Sequence, residues 1–235
     1  MSSLTEELYN TLLSLGADIV GFGNITELSA EVREGLPVGV SVAVKYPKDI
    51  IRGIAELPTA DYFAWYKQLN EKLDAIVIEG ASFLLEKGYR AVAQARERVG
   101  AGEKENFTLL PHKTIATRAG LGWIGKSALF VTKEYGSMIR LSSILTDAPL
   151  ETAAPMNKSK CGYCQRCVKV CPAKAISGKL WNVGVSRDEL LDADKCRAKA
   201  RERSMQGFGG NATICGKCIE ICPYTQRYLN KKEKI

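Results

Sequence analysis

The placement of the cysteines is the feature that most restricts what this chain can fold into. All eight lie between Cys161 and Cys222, and the first 160 of the 235 residues contain none. A small secreted protein stabilised by disulfides spreads its cysteines through the chain. The pattern therefore predicts a metal-binding segment attached to a cysteine-free domain.

The first cysteine run has the spacing of a bacterial ferredoxin cluster motif. It reads C-x2-C-x2-C-x3-C-P from Cys161 to Pro172, and in this motif the fourth cysteine ligates the other of two clusters. A second run, from Cys215 to Pro223, is incomplete, because Ala212 stands where a full copy would have cysteine. Cys196 is available to replace that ligand.

This crossover rule assigns the cysteines to two 4Fe–4S clusters. Soft thiolate ligands suit iron–sulfur clusters, whereas structural zinc prefers isolated C-x2–4-C knuckles and remains the alternative. The predicted first cluster is held by Cys161, Cys164, Cys167 and Cys222, and the second by Cys171, Cys196, Cys215 and Cys218.

Composition fits an ordinary globular protein, with 46% hydrophobic and 25% charged residues. No run approaches the ~18 apolar residues of a membrane span, and the N-terminus lacks the pattern of a secretory signal. We therefore expect a cytoplasmic protein with no membrane partner.

The formal charge of +7 falls to about +3 if each of two oxidised clusters with its thiolates carries −2, so the basic excess partly balances the metal site.

Hydrophobic periodicity predicts alternating helices and strands before the cysteine segment, which favours an α/β or α+β domain. Periodicity is lost and two prolines occur between Asp147 and Lys160, so we divide the chain into domains 1–154 and 155–235. The predicted helices are Ser3–Gly16, Asp61–Lys87 and Pro111–Ala119, and the predicted strands are Ala17–Gly23, Val38–Val44, Tyr89–Ala95, Ala128–Thr132 and Met138–Leu145.

A glycine motif lies ahead of the cysteines. Residues 120–127, GLGWIGKS, satisfy both G-x-G-x-x-G and the P-loop formula G-x4-G-K-S. Both formulas require a preceding buried strand and a following helix, whereas here a polar segment precedes and a strand pattern follows. The motif is better explained as a glycine turn that approaches a large ligand or simply packs.

Four segments together resemble a known family. AGLGWIGKSALF (Ala119 to Phe130), EYGS (Glu134 to Ser137), ILTDAPL (Ile144 to Leu150) and the double-cluster cysteines are similar to epoxyqueuosine reductase, with reductive dehalogenases as more distant relatives. The resemblance implies a nitroreductase-like N-terminal domain that binds cobalamin, next to a small ferredoxin-like domain with two 4Fe–4S clusters. It implies that the corrin and its tail are faced by Gly120, Gly122, Trp123, Gly125, Lys126 and Ser127.

The chain also departs from that family. Epoxyqueuosine reductases carry C-terminal helical repeats that help to hold transfer RNA, whereas this sequence ends shortly after Cys222, which weakens the expectation of a transfer RNA partner. The family's acid is an aspartate, and Asn106 stands at the aligned position. His112, the only histidine, is the candidate proton donor, with a capping or surface role as the alternative.

Weaker candidates are Glu103 and Glu105 as acids, and Arg118 and Arg140 as contacts to a cofactor tail, with surface pairing as their alternative. Together these observations predict a cobalamin-dependent iron–sulfur reductase. It would take electrons from an external donor such as ferredoxin or flavodoxin and act on a small molecule or modified nucleoside. The alternative is an electron-transfer protein that reactivates a corrinoid enzyme and has no substrate of its own.

Overall fold

The computed structural model describes residues 3–99 and 108–231. Asn106, Glu103 and Glu105 lie outside the described residues. Helices and strands are mixed along the chain, which confirms the predicted α/β class. Among the described helices, none combines the length and the apolar character needed to cross a membrane.

The described residues form ten helices and six strands. The helices are α1 (Ser3–Ser14), α2 (Lys48–Arg52), α3 (Ala60–Glu86), α4 (Arg96–Val99), α5 (His112–Arg118), α6 (Arg166–Val170), α7 (Arg187–Leu190), α8 (Ala193–Phe208), α9 (Lys217–Glu220) and α10 (Pro223–Leu229). The strands are β1 (Ile19–Asn24), β2 (Val38–Lys45), β3 (Ala91–Ala93), β4 (Trp123–Ile124), β5 (Phe130–Val131) and β6 (Ile139–Thr146).

The long elements follow their sequence signals closely. α1 and α3 are both followed within two residues by a glycine of positive φ, Gly16 at +97° and Gly88 at +87°, the usual helix stop. The strand predicted at Ala128–Thr132 is shorter than expected, because only two residues, those of β5, pair with β4. Ala128 itself has φ +59° and therefore belongs to the turn of this hairpin.

The contacts divide the chain into two compact units that alternate along the sequence. The first consists of Met1–Val44, Leu69–Gly122 and Arg140–Met156, and the second of Lys45–Gln68, Trp123–Ile139 and Asn157–Ile235. The chain passes between units at Met156, inside the proline-containing segment. The second unit also takes two earlier segments, so the domain division at residues 154 and 155 stays a prediction.

The first unit is built on a four-stranded sheet with strand order β1-β2-β6-β3. β2 is buried along most of its length because its β-branched residues face packed neighbours, and Val40 and Val42 are completely buried. A core cluster lies beside this sheet and includes Ile25, Leu36, Leu110, Ile115 and Leu145. This core fixes α5, the helix that leads into the glycine motif.

Glycines in β1 and β2 allow α5 to approach the sheet closely. A Cβ atom on Gly23 would lie 2.5 Å from the backbone carbonyl carbon of Arg118, and one on Gly39 would lie 2.7 Å from Cγ2 of Ile115. Any larger residue would have to displace the helix. The strand sequence therefore sets the position from which residues 119–127 start.

The second unit contains the short helices of the cysteine segment. α6 packs against α9, and α10 packs against α9. The turn before β6 meets the start of α10, since the backbone N–H of Ser137 donates to Oγ1 of Thr225 at 3.2 Å. A Cβ atom on Gly136 would lie 2.2 Å from the backbone nitrogen of Thr225, so this contact also requires glycine.

We expect Gly23→Ala to lower the free energy of unfolding by about 1–3 kcal/mol, because its methyl group would overlap backbone atoms of Arg118 that cannot rotate away. Urea unfolding followed by far-UV circular dichroism measures the change. The control is Gly53→Ala, whose added Cβ would meet its nearest atom at an ordinary 3.4 Å. Equal stabilities for the two variants would contradict this account of the packing.

Candidate metal centre

All eight cysteines are unpaired and partly buried. Cys161 and Cys164 lie on the loop before α6, Cys167 lies within α6, and Cys171 is its C-cap. Cys196 lies in the first turns of α8, Cys218 lies within α9, and Cys222 is the N-cap of α10. The packing of α6 against α9 therefore brings the two cysteine runs together.

One neighbourhood forms around Cys167. Burial raises the pKa of the Cys167 thiol to about 11, and Cys161, Cys222 and Cys164 raise it through their negative charge. Burial also raises the pKa of Cys222, which has Cys161 as its cysteine neighbour. These are the four cysteines of the predicted first cluster.

A second neighbourhood forms around Cys196. Burial raises the pKa of Cys196, and Cys171 and Cys215 raise it further. Burial raises the pKa of Cys218 most strongly, followed by the charges of Cys215 and Cys196. Cys167 and Cys171 act on Cys218 more weakly, so the two neighbourhoods adjoin. This grouping is the one that the predicted ligand division requires, and the division itself stays a prediction.

A cavity of about 430 Å³ lies in the second unit and is lined by five of the eight cysteines. Within the described ranges, no three Cys, His, Asp or Glu side chains converge closely enough to hold a single metal ion. The thiols are instead distributed around the cavity. Its cysteine lining is Cys161, Cys164, Cys167, Cys218 and Cys222.

The second half of the glycine motif borders this cavity. Gly125, Lys126 and Ser127 line it together with the cysteines, and a Cβ atom on Gly125 would lie 3.5 Å from Sγ of Cys161. The motif forms the β4–β5 hairpin, with the Gly125 N–H donating to the Leu129 carbonyl at 2.8 Å. No helix follows it directly, so its geometry differs from that of a P-loop.

Lys126 links the glycine motif to the cysteine loop. Its side chain is only 3% exposed, and Nζ donates to the backbone carbonyl of Cys164 at 3.0 Å. The two residues are 38 positions apart, and no sequence signal indicates that they meet. The sequence analysis therefore missed this contact, and the predicted contact of Lys126 with a corrin stays a prediction.

Trp123 lies on β4 of the same hairpin. Its ring packs edge-on against Tyr224, with ring centroids 4.9 Å apart, and the residue is 2% exposed. Its indole Nε1 is buried and has no hydrogen-bond partner among the described residues. Since a buried N–H without a partner costs free energy, a ligand or cluster sulfur that accepts this bond would stabilise the hairpin.

The first half of the glycine motif, residues 120–122, belongs to the first unit and makes its contacts there. Gly120 has φ +68°, and a Cβ atom there would lie 2.7 Å from the carbonyl oxygen of Ala154. Gly122 is buried. Gly120 therefore needs to be glycine for a tight turn against residues 153–154, and the predicted contact with a corrin stays a prediction for both glycines.

The two candidate arginines of the first unit bind protein groups. Arg118 is buried, pairs with Glu27 and donates to the Met156 carbonyl at 3.0 Å. Nε of Arg140 donates to Oδ1 of Asn70 at 2.9 Å. Both residues therefore pair with protein groups, Arg118 in a buried position rather than at the surface, and their predicted contact with a cofactor tail stays a prediction.

His112 begins α5, and its Nδ1 lies 2.8 Å from Oγ of Ser143. Burial, followed by the charge of Arg140, lowers the pKa of His112 to about 4. The ring is therefore neutral at pH 7 and acts as a hydrogen-bonding group in the first unit. Its role as a proton donor stays a prediction. The low pKa means that the imidazolium form, which would donate the proton, is scarce near neutral pH.

We expect the His112 ring to remain uncharged between pH 8 and about 5, because burial disfavours the cation. Histidine-selective NMR measures this directly, since the chain has a single histidine. The free energy of unfolding should fall as the pH drops from about 6.5 towards 4, because the unfolded chain then binds a proton that the folded one does not. His112→Gln should reduce that pH dependence between about 6.5 and 5, and a titration midpoint near 6.5 would refute the assignment.

We expect Lys126→Met to lower the reduction potential of the cluster on the Cys161–Cys167 loop, since a nearby positive charge favours the added electron. If the reduced cluster loses about 1.4 kcal/mol of electrostatic stabilisation, its potential falls by about 60 mV for one electron. Redox titration followed by electron paramagnetic resonance measures the shift. Lys126→Arg should retain most of the potential, and Lys133→Met, at an exposed position, should leave it unchanged. A potential unaffected in Lys126→Met would show that its charge does not act on the cluster.

Comparison with known proteins matches residues 160–225 to the 4Fe-4S double cluster binding domain. Epoxyqueuosine reductase from Synechocystis sp. is 27% identical over 221 residues, covering 87% of this chain and 67% of that protein. The enzyme of the same name from Listeria monocytogenes is 31% identical over 164 residues, covering 69% of this chain and 39% of its own length. The chain thus spans between about two fifths and two thirds of these relatives.

Two solved structures share the fold. A reductive dehalogenase, whose structure suggested a mechanism for B12-dependent dehalogenation, has a TM-score of 0.68 at 19% identity over 93% of this chain and 31% of its own. An epoxyqueuosine reductase in complex with an epoxyqueuosine-modified tRNA stem loop has a TM-score of 0.59 at 21% identity, covering 95% of this chain and 65% of its own. The predicted resemblance is confirmed: this chain is similar to epoxyqueuosine reductases, and its residues 160–225 match a double 4Fe–4S cluster binding domain.

Proposed function

We propose that this protein is an iron–sulfur oxidoreductase that passes single electrons through two 4Fe–4S clusters to a bound cobalamin for a reductive reaction. The observation that carries the proposal is the grouping of eight unpaired cysteines into two adjoining neighbourhoods around Cys167 and Cys196. Two adjacent clusters form a path for one electron at a time. Part of the glycine motif lies beside the first neighbourhood.

The donor set fits two clusters. Cysteine thiolates are the standard ligands of 4Fe–4S clusters, and each neighbourhood supplies four. Lys126 would act on the first cluster in two ways. Its hydrogen bond to the Cys164 carbonyl holds the ligand loop, and its positive charge offsets the negative charge of the cluster with its thiolates.

Cobalamin is supported by the family resemblance and by one polar group. When bound, it supplies a cobalt centre that accepts electrons and reduces the substrate. The partnerless Nε1 of Trp123 is a donor that a side-chain amide or phosphate of the cofactor would satisfy. Gly125, Lys126 and Ser127 lie on the cysteine cavity, so we assign them to the cluster environment as well as to the cofactor boundary.

The names of the relatives indicate a class of substrate rather than one compound. The matched curated proteins are named epoxyqueuosine reductase, and one solved relative holds a modified tRNA stem loop. We propose a modified nucleoside or a small molecule with a reducible bond as the substrate. Cobalt would supply the reducing chemistry, and His112 stays the predicted proton donor, although its buried ring is mainly neutral at pH 7.

A second candidate is an electron-transfer protein without its own substrate. The contacts of Lys126 favour it, because this residue and its neighbours bind the cysteine loop and need no corrin to explain their burial. Such a protein would use the same two clusters to reduce a corrinoid enzyme. Retention of cobalamin separates the two candidates.

We expect protein produced with cobalamin under anaerobic conditions to retain about one cobalt per chain, with an absorption spectrum changed from that of free cobalamin. Trp123→Phe removes the indole N–H together with the five-membered part of the ring, and should weaken cobalamin binding by about tenfold or more, of which one lost hydrogen bond accounts for about tenfold. Full iron content with no bound cobalt would contradict the cobalamin proposal and leave the electron-transfer protein as the function.

We expect Cys196→Ser to lose one cluster, with iron falling from about eight to about four per chain. Iron and sulfide analysis with electron paramagnetic resonance measures the loss. Ala198→Ser, on the same helix and exposed, is the matched control and should keep both clusters. Two intact clusters in Cys196→Ser would overturn the ligand division.

A further inference from the structure

The segment that carries the first cysteine run has a one-sided charge. Residues 152–187 contain no aspartate or glutamate. Lys179 and Arg187 form ion pairs with acids just beyond this range, Glu189 and Asp188. The same 36-residue range contains seven basic residues, which are Lys158, Lys160, Arg166, Lys169, Lys174, Lys179 and Arg187.

Five of these residues form what we call the basic face. All five are exposed, and none has an ion-pair partner within the described ranges of the chain. Arg166 and Lys169 are three residues apart on α6, so they neighbour each other on that helix. The basic face consists of Lys158, Lys160, Arg166, Lys169 and Lys174.

An exposed aromatic side chain accompanies this charge. Tyr163 stands between Cys161 and Cys164 on the ligand loop, next to exposed Gly162, and is fully exposed. A soluble protein gains little from presenting a whole tyrosine ring to water, and tyrosine is enriched where proteins bind each other. The loop that holds the first cluster therefore combines positive charge with a contact residue at its tip.

We propose that the basic face and Tyr163 form the docking surface for an acidic electron-carrier protein of the flavodoxin or ferredoxin kind. Charge complementarity identifies the partner. Five exposed cations without ion-pair partners among the described residues lie in and beside the ligand loop along the chain, and a surface of one sign attracts a partner of the other and raises its association rate. The position favours a redox protein over a nucleic acid, because each of these cations lies within three residues of a cluster ligand in the sequence.

The reaction at this surface is a single-electron transfer. One electron leaves the reduced carrier and enters one of the two clusters, so the carrier is oxidised by one electron and that cluster is reduced by one. No bond is formed or broken and no proton is transferred. The inference rests on the proposed function only in requiring that the clusters accept electrons.

The test is stopped-flow reduction of the cluster-loaded protein by reduced flavodoxin. Lys158→Glu/Lys169→Glu should lower the second-order rate constant by about tenfold or more at about 0.05 M salt, because electrostatic steering contributes ~10-fold to ~1000-fold. The wild-type rate should fall comparably as the salt rises to about 0.5 M. Lys158→Gln/Lys169→Gln is a milder change and should show a smaller loss of the rate constant. It replaces the first variant if that variant folds poorly.

Two controls separate docking from other effects. Lys72→Glu/Arg90→Glu changes the net charge equally at exposed positions of the first unit and should keep the wild-type rate. Reduction by dithionite should be the same in all variants. If the wild-type protein lacks iron or dithionite does not reduce its clusters, the proposed function fails and the docking proposal fails with it.

Two outcomes overturn the docking proposal alone. One is a wild-type rate of reduction by flavodoxin in Lys158→Glu/Lys169→Glu. The other is a rate that does not depend on salt. Unchanged reduction together with lost binding of a tRNA stem loop would show that the basic face is a nucleic-acid surface.

Discussion

The short helices of the cysteine segment are not held by their own backbone hydrogen bonds alone. α6 has five residues and α9 has four, and neither has a side-chain hydrogen bond at its N-cap. Helices of one turn are not stable by themselves in water. Their cysteines converge in two neighbourhoods, so we infer that iron–thiolate bonds hold these short helices in place, as structural metals do in other small domains.

The burial of these thiols has a direct chemical consequence. Burial raises the pKa of Cys167 and Cys218 because a thiolate loses its hydration there. Each thiol therefore stays protonated until a metal takes the place of the proton. Bound iron would compensate the lost hydration, and Lys126, placed on the carbonyl of Cys164, adds a positive charge beside the first group of ligands.

The sequence predicted local features well and distant contacts poorly. The span of α3 follows from its helical periodicity and from Gly88, and the cysteine neighbourhoods follow from spacings of two and three residues. The assignment of Lys45–Gln68 to the second unit has no such signal, because it depends on packing between distant segments. The same holds for the contact of Lys126 with Cys164, and for the neutral state of His112, which arises from burial against β6.

The central claim is that the eight cysteines hold two 4Fe–4S clusters, and the most direct measurement is iron and acid-labile sulfide per chain in anaerobically purified protein. The account predicts about eight of each, with negligible zinc. About four of each would mean that one of the two neighbourhoods is not a cluster site. Stoichiometric zinc with little sulfide would contradict the account entirely, because the segment would then be a structural zinc domain that cannot transfer electrons.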